Sequence, residues 1–441
     1  MYKFDDQNEK VYATNGGFSE GPMITDTFAD LGQGMKHLTG MLYEPVIKTD
    51  ESSVAVVVIH SDDDYTTRSI GAEMARRGYT CYCGKVSNQR DPLDRKLLDV
   101  GRVVRFLHAL TGIKKVILMG HSGGATLMTA YQRAAENGVS SLKKEELIYR
   151  STLPDDTVLI PADGLMLLDP NYGNGVMTLM SVEPGVLEEG NGMLLDPAYD
   201  QYDPAHGYHP NGAHYPDEFR KKFFKAQAAR NNALIDAACE ELRKVEAGQG
   251  KYSDDEPWTV TGSSQPKPFN KLINQDLSLL SHTKRPHDLI HGDGSITHEV
   301  VYCERDPFAA PQMIHSIMSC SQGTLREYLA SRAVRALPDY EITEDDVIGI
   351  DWEHAFDCGP CNVPYIHVPL LCVGMAGSYE YLASEIIYDR AASCDKTCAF
   401  VRGADHNFDP NTRTEKYPGE YGDTESALYD YIAGWMAERF V

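Results

Sequence analysis

The pentapeptide Gly120-His121-Ser122-Gly123-Gly124 constrains this chain more than any other feature, because of what flanks it. Residues 115–119 are an apolar, partly β-branched run that reads as a strand, and residues 125–137 carry helical spacing closed by Gly138. A serine set between strand and helix, with glycines on both sides, predicts a sharp turn. The serine takes a strained backbone that lifts its hydroxyl above the sheet. The glycines let strand and helix approach, and the helix N-terminus faces developing negative charge. Alone, G-x-S-x-G is a weak signal; the strand and helix around it give it weight.

The same alternation extends on both sides. Val54–His60 is a continuous apolar run of the kind found in a fully buried parallel strand. Strands are also expected near 37–47, at 79–86 and at 164–168. Between them lie helices at 70–77 and from Asp91-Pro92 onward, where Leu93, Leu97, Val100, Val104 and His108 recur at helical spacing and face the sheet. Short loops joining strand and helix in turn are the mark of a doubly wound, mostly parallel α/β sheet. After Asp169 the rhythm stops. One long amphipathic helix starts near Asp217, with Phe219, Phe223, Leu234, Ala238 and Leu242 on one face, amid Gly-, Pro-, His- and Tyr-rich loops. The alternation resumes with a strand at 368–374, a helix over 380–392, a strand at 397–401 and a helix over 425–440. The organisation expected is an N-terminal arm (1–36), an α/β core (37–170 and 361–441) and a large cap inserted after the sixth core strand (171–360).

The elbow GHSGG within this alternation resembles the α/β-hydrolase family, in pattern over most of 37–170 and 365–441. The resemblance implies an α/β-hydrolase fold and a chain order of nucleophile, acid, histidine. Ser122 is then the nucleophile. His406, in Gly403-Ala404-Asp405-His406-Asn407-Phe408 after the last strand, is the base that a weakly nucleophilic hydroxyl requires. In most of the family the acid stands about three residues past the glycine ending the seventh strand; counting from Gly374 reaches Gly377, which has no carboxylate. Some members carry it at the end of the sixth strand, where this chain has Asp169. Glu380, in the loop after the seventh strand, is the alternative acid. The oxyanion donors implied are the amide of Gly123 and, from the loop His60-Ser61-Asp62-Asp63-Asp64-Tyr65, the amide of Asp62. Tyr65 is either a further donor through its phenol or a packing aromatic. The three aspartates are expected to face solvent or cap the next helix.

Charge narrows the partners. With 41 Lys and Arg against 65 Asp and Glu, the net charge is −24, which repels phosphate backbones and anionic lipid, so neither nucleic acid nor membrane is an expected partner. The N-terminal MYKFDDQNEK shows no signal-peptide pattern, and ten cysteines are too few for a disulfide scaffold; a cytoplasmic protein with reduced thiols is expected. Cys358-Gly359-Pro360-Cys361 has redox-type spacing, but Pro364 soon after argues for a plain turn. Seven histidines between 206 and 298 lack metal-site register and read as loop residues, and no phosphate-binding glycine motif occurs. Neither metal nor organic cofactor is called for, and a homo-oligomer is left open.

The function expected is cleavage of an ester, lactone or related acyl bond in a small-to-medium apolar substrate through an acyl-enzyme. Two rivals use the same residues differently. In one, the serine–histidine machinery serves a C–C bond hydrolase or lyase, or an acyltransferase. In the other, the scaffold is a non-catalytic small-molecule receptor.

Overall fold

Alternation of side chains along one strand organises the interior. In β3 (Val54–His60), Ala55, Val57 and Ile59 enter one hydrophobic layer while Val54, Val56 and Val58 enter the other, so the strand is apolar on both faces. β5 (Lys115–Ser122) does the same, with Val116 and Leu118 on one side and Ile117 and Met119 on the other. Such strands are stable only between two layers of helices. The computed structural model describes residues 24–32, 37–190, 194–263, 271–307 and 320–441. It supplies both layers.

The core strands are β1 (Ile24–Asp30), β2 (Thr39–Pro45), β3, β4 (Thr80–Lys85), β5 and β6 (Gly164–Pro170). The helices among them are α1 (Ser69–Arg76), α2 (Leu93–Ala109) and α3 (Gly123–Asn137). The following segment holds α4 (Asn174–Ser181), α5 (Asp217–Glu246), β7 (Pro257–Thr261), α6 (Leu272–Gln275), β8 (His282–Ile290), β9 (Ile296–Tyr302), β10 (Cys320–Thr324), α7 (Leu325–Ser331), β11 (Ala336–Ile342), β12 (Val347–Ile350) and α8 (Gly359–Asn362). β13 (Leu370–Met375), α9 (Ala383–Arg390), β14 (Lys396–Val401) and α10 (Thr424–Phe440) complete the chain.

The sheet order is β1-β2-β4-β3-β5-β6-β13-β14-β8-β9. From β4 through β8 the neighbours are parallel, while β1, β2 and β9 pair antiparallel. Side chains of α2, α3 and α9 pack on one face, and those of α1 and α10 on the other. This is an α/β-hydrolase fold: the chain leaves β3 toward β4, then returns to place β5 on the other side of β3. Ligands of open α/β sheets bind outside the carboxyl ends of strands at such a reversal. His60, Ser122 and Asp169 all stand at those ends.

Several expectations are corrected. β1 makes Ile24–Asp30, inside the stretch read as an arm, an edge strand of the sheet; residues 1–23 and 33–36 of that stretch lie outside the described residues. Within the segment read as a cap, β8 pairs with β14, so the β8–β9 hairpin continues the central sheet. An uncovered β14 would present a row of unpaired backbone groups, and β8 pairs with it over Ala399–Val401. Its sequence HTKRPHDLI is polar, with a proline at a register shift, and so carries little strand signal. On α2 the buried stripe runs through Val103, Phe106 and Leu107, leaving His108 exposed. The helix turns 3.6 residues per repeat and has carried position 108 off the core face. α5 buries Phe219, Phe223, Leu234, Ala238 and Leu242, and among the described residues no helix is long and apolar enough to cross a membrane.

Candidate active site

Ser122 ends β5 and caps α3 with φ 54° and ψ −128°. A non-glycine residue in that region costs on the order of 1–3 kcal/mol, held only where the surroundings over-determine it. Here the determinant is close packing. A Cβ on Gly120 would sit 2.6 Å from Ala125 Cα, and one on Gly124 would sit 3.1 Å from the Ile59 carbonyl oxygen. Strand and helix meet backbone to backbone, and the serine takes the corner. The Gly123 amide heads α3 as one of the donors a helix start leaves without an internal partner.

His406 stands between two buried carboxylates. Its Nδ1 is 2.6 Å from Asp169 Oδ2 and 3.4 Å from Glu380 Oε2. Asp169 also sits at positive φ (37°), and its Oδ1 accepts the Met375 amide at 2.9 Å. Glu380 accepts the Tyr379 hydroxyl at 2.8 Å. Burial alone would make the imidazole shed its proton. The Glu380 charge, then the hydrogen bond and charge of Asp169, outweigh burial and push His406 up to about 9. Of the two candidate acids, Asp169 makes the shorter contact. With Nδ1 held there, Nε2 is the nitrogen left for the serine. Among the described residues no hydrogen bond joins Ser122 Oγ to His406.

The ring of His121, the second residue of the elbow, ties the histidine loop to it. His121 Nε2–H donates to the His406 carbonyl at 2.7 Å, which requires the proton on Nε2 and leaves Nδ1 an acceptor. Tyr65 Oη donates to that Nδ1 at 2.5 Å. Burial, followed by the charge of His406, holds His121 well below the ordinary imidazole range, so it stays neutral. The His121 and His406 rings lie 4.6 Å apart. Tyr65 is therefore engaged with His121, and burial raises its phenol further from ionisation.

The loop after β3 differs from expectation. Asp62, read as an amide donor and as solvent-facing, has its N–H bonded to His60 Nδ1 at 3.0 Å, and the Asp63 N–H joins it at 2.9 Å. The Asp62 carboxylate turns inward to the buried Lys96 (3.1 Å), with Arg332 at 3.8 Å, and accepts Ser61 Oγ at 2.7 Å. Burial opposes its charge, but Lys96 and then Arg332 hold it well below the usual carboxylate range. Asp63 and Asp64 do face outward, paired with Arg68 and Lys85 at 3.0 Å each. Asn174 on α4 donates to Ser61 Oγ at 3.4 Å, so the inserted segment also touches this loop.

Sequence reasoning missed His60, Lys96, His121 and Arg332. Lys96 had a signal: it falls three residues after Leu93 and four before Val100, on the apolar stripe of α2. Asp169, Glu380 and His406 also form the one cluster of metal-type donor atoms among the described residues, all within 4.8 Å. Both oxygens of Asp169 already accept hydrogen bonds there. Where a plain turn was expected, Cys358 caps the short helix α8 and Cys361 lies on it; both are free, buried thiols. Of the clustered histidines, His206 bonds the Asp200 carbonyl and His287 pairs with Glu385.

No protein-family model and no curated protein matches the chain. Solved structures similar to it include Est1E from Butyrivibrio proteoclasticus, with 10% identity over 93% of this chain and 98% of that one, at TM-score 0.40. Carboxyl esterase 2 from Tuber melanosporum aligns at 10% identity over 96% of this chain and 90% of that one, at TM-score 0.42. A soluble variant of monoglyceride lipase from Saccharomyces cerevisiae, in complex with a substrate analog, aligns at 11% identity over 100% and 98%, at TM-score 0.40.

Proposed function

We propose that this chain is a serine hydrolase cleaving an ester, lactone or related acyl bond of a small-to-medium apolar substrate. Ser122 Oγ attacks the acyl carbonyl while His406 Nε2 takes its proton. Asp169 holds Nδ1–H and stabilises the imidazolium that results. The Gly123 amide binds the oxygen of the tetrahedral intermediate. His406 then gives its proton to the departing alkoxide, leaving an acyl-enzyme, and water activated by the same imidazole releases the acid. The inserted segment apart from β8–β9 acts as a cap that excludes water; the contacts of Asn174 and Arg332 with the loop after β3 support that role.

The observation that carries this reading is the conjunction of a strained serine at the head of α3 with an imidazole held by a strand-end carboxylate. The test is labelling of folded protein with a fluorophosphonate, alongside hydrolysis of a short-chain p-nitrophenyl ester. Stoichiometric labelling and ester turnover, both lost in Ser122→Ala, are expected. Failure of Ser122 to label in folded protein overturns the proposal and favours the receptor reading.

A further inference from the structure

We propose that the second donor of the oxyanion hole is the side-chain Nε2–H of His60, acting beside the Gly123 amide in place of the Asp62 amide. This rests on the reading of Ser122 as the nucleophile, and names which group meets the charge that its attack creates.

The tautomer comes first. His60 Nδ1 accepts two main-chain N–H groups, from Asp62 at 3.0 Å and Asp63 at 2.9 Å. A ring nitrogen that accepts carries no proton, so the neutral imidazole must carry it on Nε2. The same bonds engage the amides that could otherwise have served. The Ser61 hydroxyl is engaged as well, donating to Asp62 Oδ2.

Position comes second. A Cβ built on Gly123 would lie 3.1 Å from both Nε2 and Cε1 of His60. The protonated edge of the ring therefore faces Gly123, the residue that follows the proposed nucleophile. Among the described residues Nε2 has no hydrogen-bond partner.

Rigidity and charge complete the case. The His60 ring stacks on Tyr65 with centroids 5.1 Å apart and planes 9° from parallel. Tyr65 is itself fixed by its bond to His121, and the loop by the Asp62–Lys96 pair. Donors held in place before the reaction need no reorganisation during it, the condition under which an oxyanion hole is most effective. Burial, working against the charges of Asp62 and Asp63, brings His60 down to about 4, so the donor is a neutral imidazole. A neutral donor stabilises the oxyanion without forming a salt bridge to the carboxylate product, which can then leave.

The experiment uses the full chain with His60→Ala and an ester substrate. Removing one such donor lowers kcat by about 10²- to 10³-fold, with KM little changed. Added imidazole should restore turnover, since it supplies both an acceptor and an N–H. Added 1-methylimidazole supplies only the acceptor and should not. Equal rescue by the two, or a kcat within a few-fold of wild type, overturns the proposal and leaves His60 as a holder of the 62–63 loop. Independently, the preference for an oxoester over its thionoester is measured in wild type, in His60→Ala and in His60→Phe, which retains a ring against Tyr65. The preference should shrink in either variant that folds, because sulfur is a poor acceptor and gains little from the donor. An unchanged preference overturns the proposal. Fluorophosphonate labelling of Ser122 separates the two levels: absent labelling in wild type sinks the hydrolase reading, whereas normal labelling with a mute His60 sinks only this inference.

Discussion

Two imidazoles near the strand ends that carry Ser122 and Asp169 hold protons with opposite strengths. His60, at the end of β3, is brought down to about 4; His406, after β14, is pushed up to about 9. Both are partly buried, so burial alone does not distinguish them. What differs is how nearby negative charge is directed. Around His60 the carboxylates turn away, Asp62 to Lys96 and Arg332 and Asp63 to Arg68, and the ring meets amide N–H groups instead. Around His406 two carboxylates converge on one ring nitrogen. Pairs of titratable groups driven apart in this way mark the division of labour in a site. In the mechanism proposed, one imidazole stays neutral and donates while the other cycles its proton.

Asp169→Asn tests the cycling side with the largest effect. Asparagine can still accept the Met375 amide, but it no longer holds His406 with its Nδ1–H toward the acid. A loss in kcat of about 10⁴-fold is expected, as when a triad carboxylate becomes an amide. Steady-state ester hydrolysis checks it, and a larger loss from Glu380→Gln than from Asp169→Asn would move the acid to Glu380. Glu380→Gln should instead act through proton affinity. The base must be unprotonated to accept the serine proton, so in wild type kcat/KM rises with pH through about 9. Removing the Glu380 charge lowers that value and moves the rise to lower pH. The variant should then be several-fold faster than wild type at neutral pH, by about tenfold for each unit moved. A pH profile of kcat/KM from about pH 6 to about pH 10 reads this directly; an unmoved acid limb would mean that the Glu380 charge does not raise the proton affinity of His406.

The half of the site built from local pattern was legible in the sequence. The serine's strain follows from one strand, one turn and one helix, all within residues 115–137, and the chain order then points to Asp169, Glu380 and His406. The other half depends on groups brought together by folding. Assigning the Asp62 amide as a donor follows from its place in a motif, yet its N–H is claimed by a ring two residues earlier in the chain. Spacing says nothing of how that ring turns. Nor does it show that the buried partner of Asp62 is Lys96, 34 positions away. The β8–β9 hairpin escaped for a related reason. β8 pairs with β14 only over Asp288–Ile290, and its earlier residues, which include lysine, arginine and proline, lie beyond that pairing, so its pattern is faint until β14 is seen to need a neighbour.

Tyr65→Phe gives the smallest effect expected and the finest division between the two imidazoles. The phenol donates to His121, whose other nitrogen fixes the His406 backbone, while its ring face supports His60. Phenylalanine keeps the stack and removes the bond, leaving a buried acceptor without its donor at a cost of about 1–3 kcal/mol in unfolding free energy. Catalysis should fall only a few-fold, because the hydroxyl points at His121 and reaches the reaction only through the placement of His406. Denaturant unfolding beside kcat separates the two contributions. A fall of about 10²- to 10³-fold, the size set by losing an oxyanion donor, would instead put the phenol in contact with the developing charge. His60 would then share its role with Tyr65, and the contrast between a donating and a cycling imidazole would no longer describe the site.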